Sequence, residues 1–267
     1  MDVRPSRQAA AMTSGGSVFP FDEPGYAMAG CVMITLGYVV FGITGYGASL
    51  FTIPVLSHFY PLPFVLAVAA ILDIGSGLTI GLKRRHDAAL GEIKWLVPFA
   101  VLGAVSGVTL LVALPRRASL LALGLFIGVY ALYGLYERVP ARGIAQGWAP
   151  LAGTLGGATG TLFGMGGPAY LIYLARRITD KNALRATMSV MVSFSLLIRL
   201  GVFAFAGLLL QPYLLSALAL FVPAAALGLW LGSRLHVRMS QQAMLRTLNL
   251  ILLGCALSLI ARALVTG

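Results

Sequence analysis

The chain has 267 residues, of which 59% are hydrophobic and only 10% charged, against about a quarter charged in an ordinary soluble domain. Such a composition cannot furnish a water-facing surface. The formal net charge of +11 does not point to nucleic acid either, because most Lys and Arg sit in short connections between apolar runs, where membrane topology selects them.

In chain order, residues 1–24 hold Arg4, Arg7, Asp22 and Glu23 around a Ser-Gly-Gly run. They lack the apolar centre of a cleaved leader and read as a flexible tail. Four apolar runs follow within residues 25–136: Gly25 to Tyr60, which is interrupted, then Leu62 to Leu82, Ile93 to Ala113 and Leu120 to Tyr136. Residues 137–147 form a linker, and residues 148–267 hold a second set: Trp148 to Ala175, again interrupted, Leu184 to Ala206, Tyr213 to Ser233 and Met244 to Ala263. Each uninterrupted run approaches the ~20 residues that cross about 30 Å of hydrocarbon as a helix. The expected fold is therefore all-α and polytopic. Cys31 and Cys255 lie far apart inside apolar runs, so they form neither a disulfide framework nor a zinc site.

The two sets resemble one another. Phe41-Gly-Ile-Thr-Gly45-Tyr-Gly47 parallels Thr161-Leu-Phe-Gly164-Met-Gly166-Gly167-Pro168, and each breaks its apolar run. Further on, Val97-Pro98, Gly103 and Gly107 recur at equal spacing as Val222-Pro223, Gly228 and Gly232. The charges of equivalent loops disagree, however. The stretch from Ser57 to Pro63 is uncharged and the next connection carries Lys83, Arg84, Arg85 and Lys94, whereas the second set puts Arg176, Arg177, Lys181 and Arg185 first and an uncharged Gly207 to Pro212 next. Equivalent loops on opposite sides of a membrane imply two inverted-topology repeats. Each would comprise one Gly-broken helical hairpin and three transmembrane helices, with both termini on the non-cytoplasmic face.

Non-helical backbone at membrane depth persists only where protein buries it or water fills a cavity, so the breaks are the candidate site. The half-helix after each break would expose free N–H groups and the positive end of its dipole, which together bind anions. Gly45, Gly47, Ala48 and Ser49 would form one tip; Gly166, Gly167, Pro168 and Ala169 would form the other. Pro168 suits a first helical turn, where an N–H is not needed. Other glycines, Gly153/Gly157, Gly156/Gly160, Gly77/Gly81, Gly103/Gly107 and Gly228/Gly232, follow the small-xxx-small spacing of close helix packing.

Two charged residues fall well inside apolar runs, Asp73 and Arg199, and a charge there costs at least ~2.5 kcal/mol. Arg199 is the candidate contact for an anionic substrate, against the alternative of snorkelling to the nearer interface. Asp73 is the candidate site of a coupling proton, against a purely structural carboxylate. Ser76 and Ser195 stand one turn from these residues on the same helix faces and are candidate secondary ligands.

At these residues the chain resembles the sulfite exporter TauE/SafE family, also called the toluene sulfonate uptake permease family. Gly45-Tyr-Gly47 with Pro54, and Gly164-Met-Gly166-Gly167-Pro168, look like that family's two glycine-rich motifs, and the similarity runs from Tyr26 onward. Ala48 and Ser49 depart from the pattern, where further glycine is usual. The resemblance implies a multi-pass protein of the bacterial plasma (inner) membrane that moves sulfite, sulfonates, sulfoacetate, thiosulfate or related anions, although the family name does not give the direction; the reading adopted is a secondary active transporter, an exporter, of a small sulfur-containing anion such as sulfite, sulfoacetate or another organosulfonate. The expected partners are that anion and the lipid bilayer, with a proton or other coupling ion expected from the reading of Asp73. The alternatives are a passive anion channel or a carrier of a non-sulfur organic anion. An intramembrane enzyme finds only the short Gly47-Ala-Ser49-Leu50 pattern, with His58, His86 and His236 all at segment ends or in loops, whereas a serine nucleophile needs a base within reach. No catalytic residue, cofactor or metal is expected, because neither a phosphate-binding loop nor a His/Cys/carboxylate cluster occurs.

Overall fold

Apolar runs of this length have one solution in hydrocarbon. In an α-helix every backbone N–H and C=O finds a partner inside its own segment. The computed structural model of the chain describes residues 24–44, 48–83, 87–136, 143–211, 213–234 and 241–265. These form α1 (Pro24–Thr44), α2 (Ala48–Leu56), α3 (Leu62–Lys83), α4 (Leu90–Ala113), α5 (Arg116–Tyr136), α6 (Ala149–Phe163), α7 (Gly167–Arg177), α8 (Lys181–Phe205), α9 (Leu214–Arg234) and α10 (Gln241–Val265). Two 3-10 turns, Gln146–Trp148 and Leu208–Leu210, complete the described elements. No strand occurs among the described residues.

By length and composition, Leu90–Ala113, Arg116–Tyr133, Asn182–Phe205 and Leu214–Arg234 can each cross a membrane, and Ala27–Ile43, Leu62–Ile74 and Leu252–Val265 are shorter apolar helices. Leu102, Val129 and Leu215 are 61%, 67% and 83% exposed. A soluble monomer does not leave a surface of that kind bare; here it is the lipid-facing wall.

Helix ends differ from the expected ones where polar residues set them. Asp180 caps α8 by accepting the Ala183 N–H at 2.7 Å, so this helix starts ahead of Leu184. The Ser119 N–H bonds the Pro115 carbonyl at 3.1 Å, so α5 begins at Arg116 rather than Leu120. Its exposed arginines extend toward the interface as long basic side chains do.

The most closely packed pairs cross between the first five helices and the last five. α4 lies along α6 and α9 along α1; α5 meets α10 and α3 meets α8; α4 also touches α8, and α9 touches α3. Exchanging the first five helices with the last five returns the same set of pairs. Glycine allows the closest of them. A Cβ at Gly103 would fall 2.0 Å from the Thr154 carbonyl oxygen, at Gly157 2.0 Å from that of Ala100, at Gly228 2.3 Å from that of Thr35 and at Gly232 2.2 Å from that of Val39. Backbones this near leave no room for a side chain and gain dispersion contact along the whole crossing.

Two apolar clusters result. The larger holds Tyr60, Phe64, Phe221 and Phe203; the smaller joins Leu96, Ala100, Tyr170, Tyr173 and Met191. α1 and α2 pack into the larger cluster, whereas α6 and α7 reach from one to the other, with Phe163 and Met165 in the larger and Ala149, Tyr170 and Tyr173 in the smaller.

Candidate functional site

Each interrupted run resolves into two helices. In the first, α1 stops at Thr44 and α2 starts at Ala48; Gly45 and Gly47 lie outside the described residues. In the second the break is fully defined. Gly164 turns left-handed at φ 73°, the Met165 N–H returns to the Thr159 carbonyl at 3.2 Å, and α7 restarts at Gly167 with Pro168 in its first turn. This is a glycine C-cap followed at once by a proline N-terminus.

Three segments converge on the turn. A Cβ on Gly164 would lie 2.2 Å from Ile53 Cδ1 of α2, 3.2 Å from Arg199 Nη1 of α8 and 3.4 Å from Leu66 Cδ2 of α3. Arg199 is 4% exposed, so it does not snorkel to an interface. Its Nη2 donates to the Leu66 carbonyl at 3.3 Å, its guanidinium carbon stands 5.8 Å from the Phe203 ring centroid, and its Nε has no partner. A buried donor left unmade costs about 1–3 kcal/mol, more when charged. At the tip of α7, Gly166 is packed, since a Cβ would meet the Gly156 carbonyl at 2.4 Å, whereas a Cβ on Gly167 would meet nothing within 4 Å. Gly167, Pro168 and Ala169 are all partly exposed.

The other tip has a resident partner. The Ser49 hydroxyl, in the first turn of α2, donates to the Asp73 carboxylate, and the Tyr38 hydroxyl donates to its other oxygen at 3.1 Å. Ser49 is therefore engaged with a carboxylate of the chain itself, which the sequence did not suggest. Asp73 and Arg199 lie within electrostatic reach of one another. Away from these two residues, Arg177 and Glu92 form an ion pair at 2.6 Å.

Ser195 stands beside the second break, its Oγ 3.3 Å from where a Gly160 Cβ would be and 3.4 Å from the Tyr170 hydroxyl that donates to it. The side chain of Ser76 lies outside the described residues, although its backbone continues α3. The structure thus brings Gly164, Arg199 and the α7 tip together, and separately Ser49 with Asp73. Sequence reasoning did not find Tyr38, Tyr170, Phe203 or the Leu66 carbonyl. Tyr170 was open to discovery as an aromatic in the first turn after a broken helix, but nothing local joins Tyr38 to Asp73. No group of three or more His, Cys, Asp and Glu residues suited to a metal gathers among the described residues.

A lipid-facing helical bundle with paired helix breaks around buried charge is the architecture of a membrane transporter. The sequence pattern of the family described as Sulfite exporter TauE/SafE matches residues 30–259. The chain belongs to that family. It is 28% identical over 190 residues to the "Probable inner membrane transporter protein TsaS" of Comamonas testosteroni, a match that covers 71% of this chain and 80% of the relative. No solved structure matches significantly. The protein is accordingly a multi-pass transporter of the bacterial inner membrane.

Proposed function

We propose that this chain is a secondary active carrier that exports a small sulfur-containing anion, such as sulfite or an organosulfonate, from a site at mid-membrane. The anion would sit between the two half-helix N-termini, held by Arg199 and the free N–H groups of α7, with Ser195 and Ser76 as neutral ligands. Asp73 would take up and release the coupling proton. One observation carries this reading: Arg199 is buried beside the helix break with a donor nitrogen that no group of the protein satisfies. A charge in that setting calls for an anionic partner, and the family description supports sulfite as its chemistry. The crosswise pairing of the two halves supports the inverted-repeat arrangement, which in carriers lets one half rock against the other around a fixed site.

Purified protein in liposomes, assayed for uptake of labelled sulfite, sulfoacetate and sulfate with and without a pH gradient, tests it. Saturable uptake, gradient acceleration and counterflow of labelled anion against unlabelled are expected. Flux that follows the anion's electrochemical gradient without counterflow would make the protein a channel.

A further inference from the structure

Tyr170, in the first turn of α7, is 0% exposed. Its ring lies in a slot made by two absent side chains. A Cβ on Gly156 of α6 would fall 2.2 Å from the ring's Cε1, and one on Gly166 would fall 3.2 Å from its Cε2. Gly156 and Gly160 therefore do more than let helices pack: Gly156 seats the ring, while a Cβ on Gly160 would meet Ser195 Oγ at 3.3 Å. The seated ring fixes where its hydroxyl points, which is at Ser195 Oγ of α8, 3.4 Å away.

A hydroxyl has one proton to give, so two hydroxyls bonded to each other hold one proton between them and leave one over. Neither Tyr170 nor Ser195 makes another hydrogen bond among the described residues. Tyr170 is fully enclosed, whereas Ser195 is partly exposed and stands one turn from Arg199 on the same face of α8. The spare proton is that of Ser195. Other hydroxyls of α8 behave differently. Thr187, Ser189 and Ser193 donate to the carbonyls of Ala183, Arg185 and Ser189, one turn back, at 2.7, 2.8 and 2.9 Å, the ordinary recourse of a hydroxyl inside a helix. Ser195 is turned toward Tyr170 instead and keeps its proton off its own backbone.

We infer that Tyr170 is a positioning residue for anion binding: by donating to Ser195 it holds that hydroxyl away from its own helix, with the Ser195 proton presented to a substrate oxygen beside Arg199. The site then joins a charged donor, the Arg199 guanidinium with its unpartnered Nε, to a neutral donor one turn away. Without the tyrosine hydroxyl, Ser195 turns back to the carbonyl one turn behind it, as its neighbours do, and the anion loses that contact. The inference rests on the anion-carrier reading above and adds the residue that orients one of its ligands.

The test is uptake of labelled sulfite and labelled sulfoacetate into liposomes holding wild type, Tyr170→Phe, Ser195→Ala or the double variant, with KM and turnover separated. Phenylalanine keeps the ring in its slot and removes only the bond. Tyr170→Phe should raise KM about three- to tenfold with turnover unchanged, as the loss of one hydrogen bond to the anion requires. Ser195→Ala, which leaves the ring's packing alone, should raise KM at least as much. The double variant should match Ser195→Ala within about twofold, because the tyrosine acts only through the serine. Ser189→Ala removes a back-bonded hydroxyl of the same helix and should keep the wild-type KM. A wild-type KM in Ser195→Ala or Tyr170→Phe, a double variant whose loss is the product of the two single losses, or an equal rise in Ser189→Ala would overturn the inference. Movement of neither anion by the wild type, or full transport by Arg199→Ala, would instead defeat the carrier reading on which it stands.

Discussion

The Arg199 guanidinium lies against Gly164, its Nη1 3.2 Å from where a Cβ on that glycine would be. The turn that breaks the helix thus adjoins the buried charge: the missing side chain at Gly164 makes the space that Ile53 Cδ1 fills, with Arg199 Nη1 beside it.

Gly164→Ala should therefore cost more than ordinary helix-cap damage. The backbone there is left-handed at φ 73°, which adds about 1–3 kcal/mol for a side-chain-bearing residue, and the new methyl would collide with Ile53 and press on Arg199. Detergent-solubilised variant should melt several degrees below wild type and transport poorly. Wild-type melting with wild-type flux would show that the turn does not position Arg199.

Neighbouring glycines at the α7 tip should separate fold from function. Gly166 has a carbonyl 2.4 Å from any added Cβ and Gly167 has open space. Gly166→Ala is expected to lose monodispersity on size exclusion. Gly167→Ala should fold as wild type and raise the KM for the anion severalfold, because it adds a methyl beside the N–H groups proposed to bind it.

The glycines of the crosswise helix pairs should behave as equivalents. Gly103→Ala and Gly228→Ala each drive a methyl into the backbone of the partner helix, Thr154 and Thr35 respectively, and overpacking of this kind costs roughly 1–3 kcal/mol. Similar losses of thermal stability are expected from both, and none from Gly254→Ala, where a Cβ meets nothing within 4 Å. A large difference between the first two would argue against equivalent halves.

At the far end of α7, Arg177 bonds Glu92 through Nη2 at 2.6 Å and Nε at 2.9 Å, and the Tyr173 hydroxyl donates to the same carboxylate at 2.7 Å. The cluster ties the half-helix to the first turn of α4. Glu92→Ala should destabilise by roughly 1.5–3 kcal/mol, the range for hydrogen bonds to charged groups, with Glu92→Gln losing less because the amide oxygen can still accept from Tyr173 and Arg177. Thermal melts of the two variants in detergent check the order.

How far the residues alone led can be seen at particular places. Helix positions were legible because charge and proline punctuate the apolar runs, and the break at Gly164 was legible because dense glycine cannot propagate a helix. Gly103, Gly157, Gly228 and Gly232 announced close packing through their spacing, and the structure sets each against a carbonyl. Arg199 and Asp73 stood out as charges in apolar surroundings. What stayed hidden was partnership across the chain. Ser49 donating to Asp73, Tyr38 joining it and Arg199 reaching the Leu66 carbonyl all depend on which helices touch, and no local pattern encodes that. Ser49 read as a free ligand because its spacing placed it at a helix tip; tertiary packing gave it a carboxylate.

The most direct test of the site is equilibrium binding of a labelled sulfonate or sulfite to purified Arg199→Ala, with Arg117→Ala as a control on an exposed arginine. Loss of a charge-assisted contact predicts at least about tenfold weaker binding for Arg199→Ala and wild-type affinity for Arg117→Ala, both variants remaining monodisperse. Equal affinity of the two would contradict the account, because the buried guanidinium would then have no part in holding the anion.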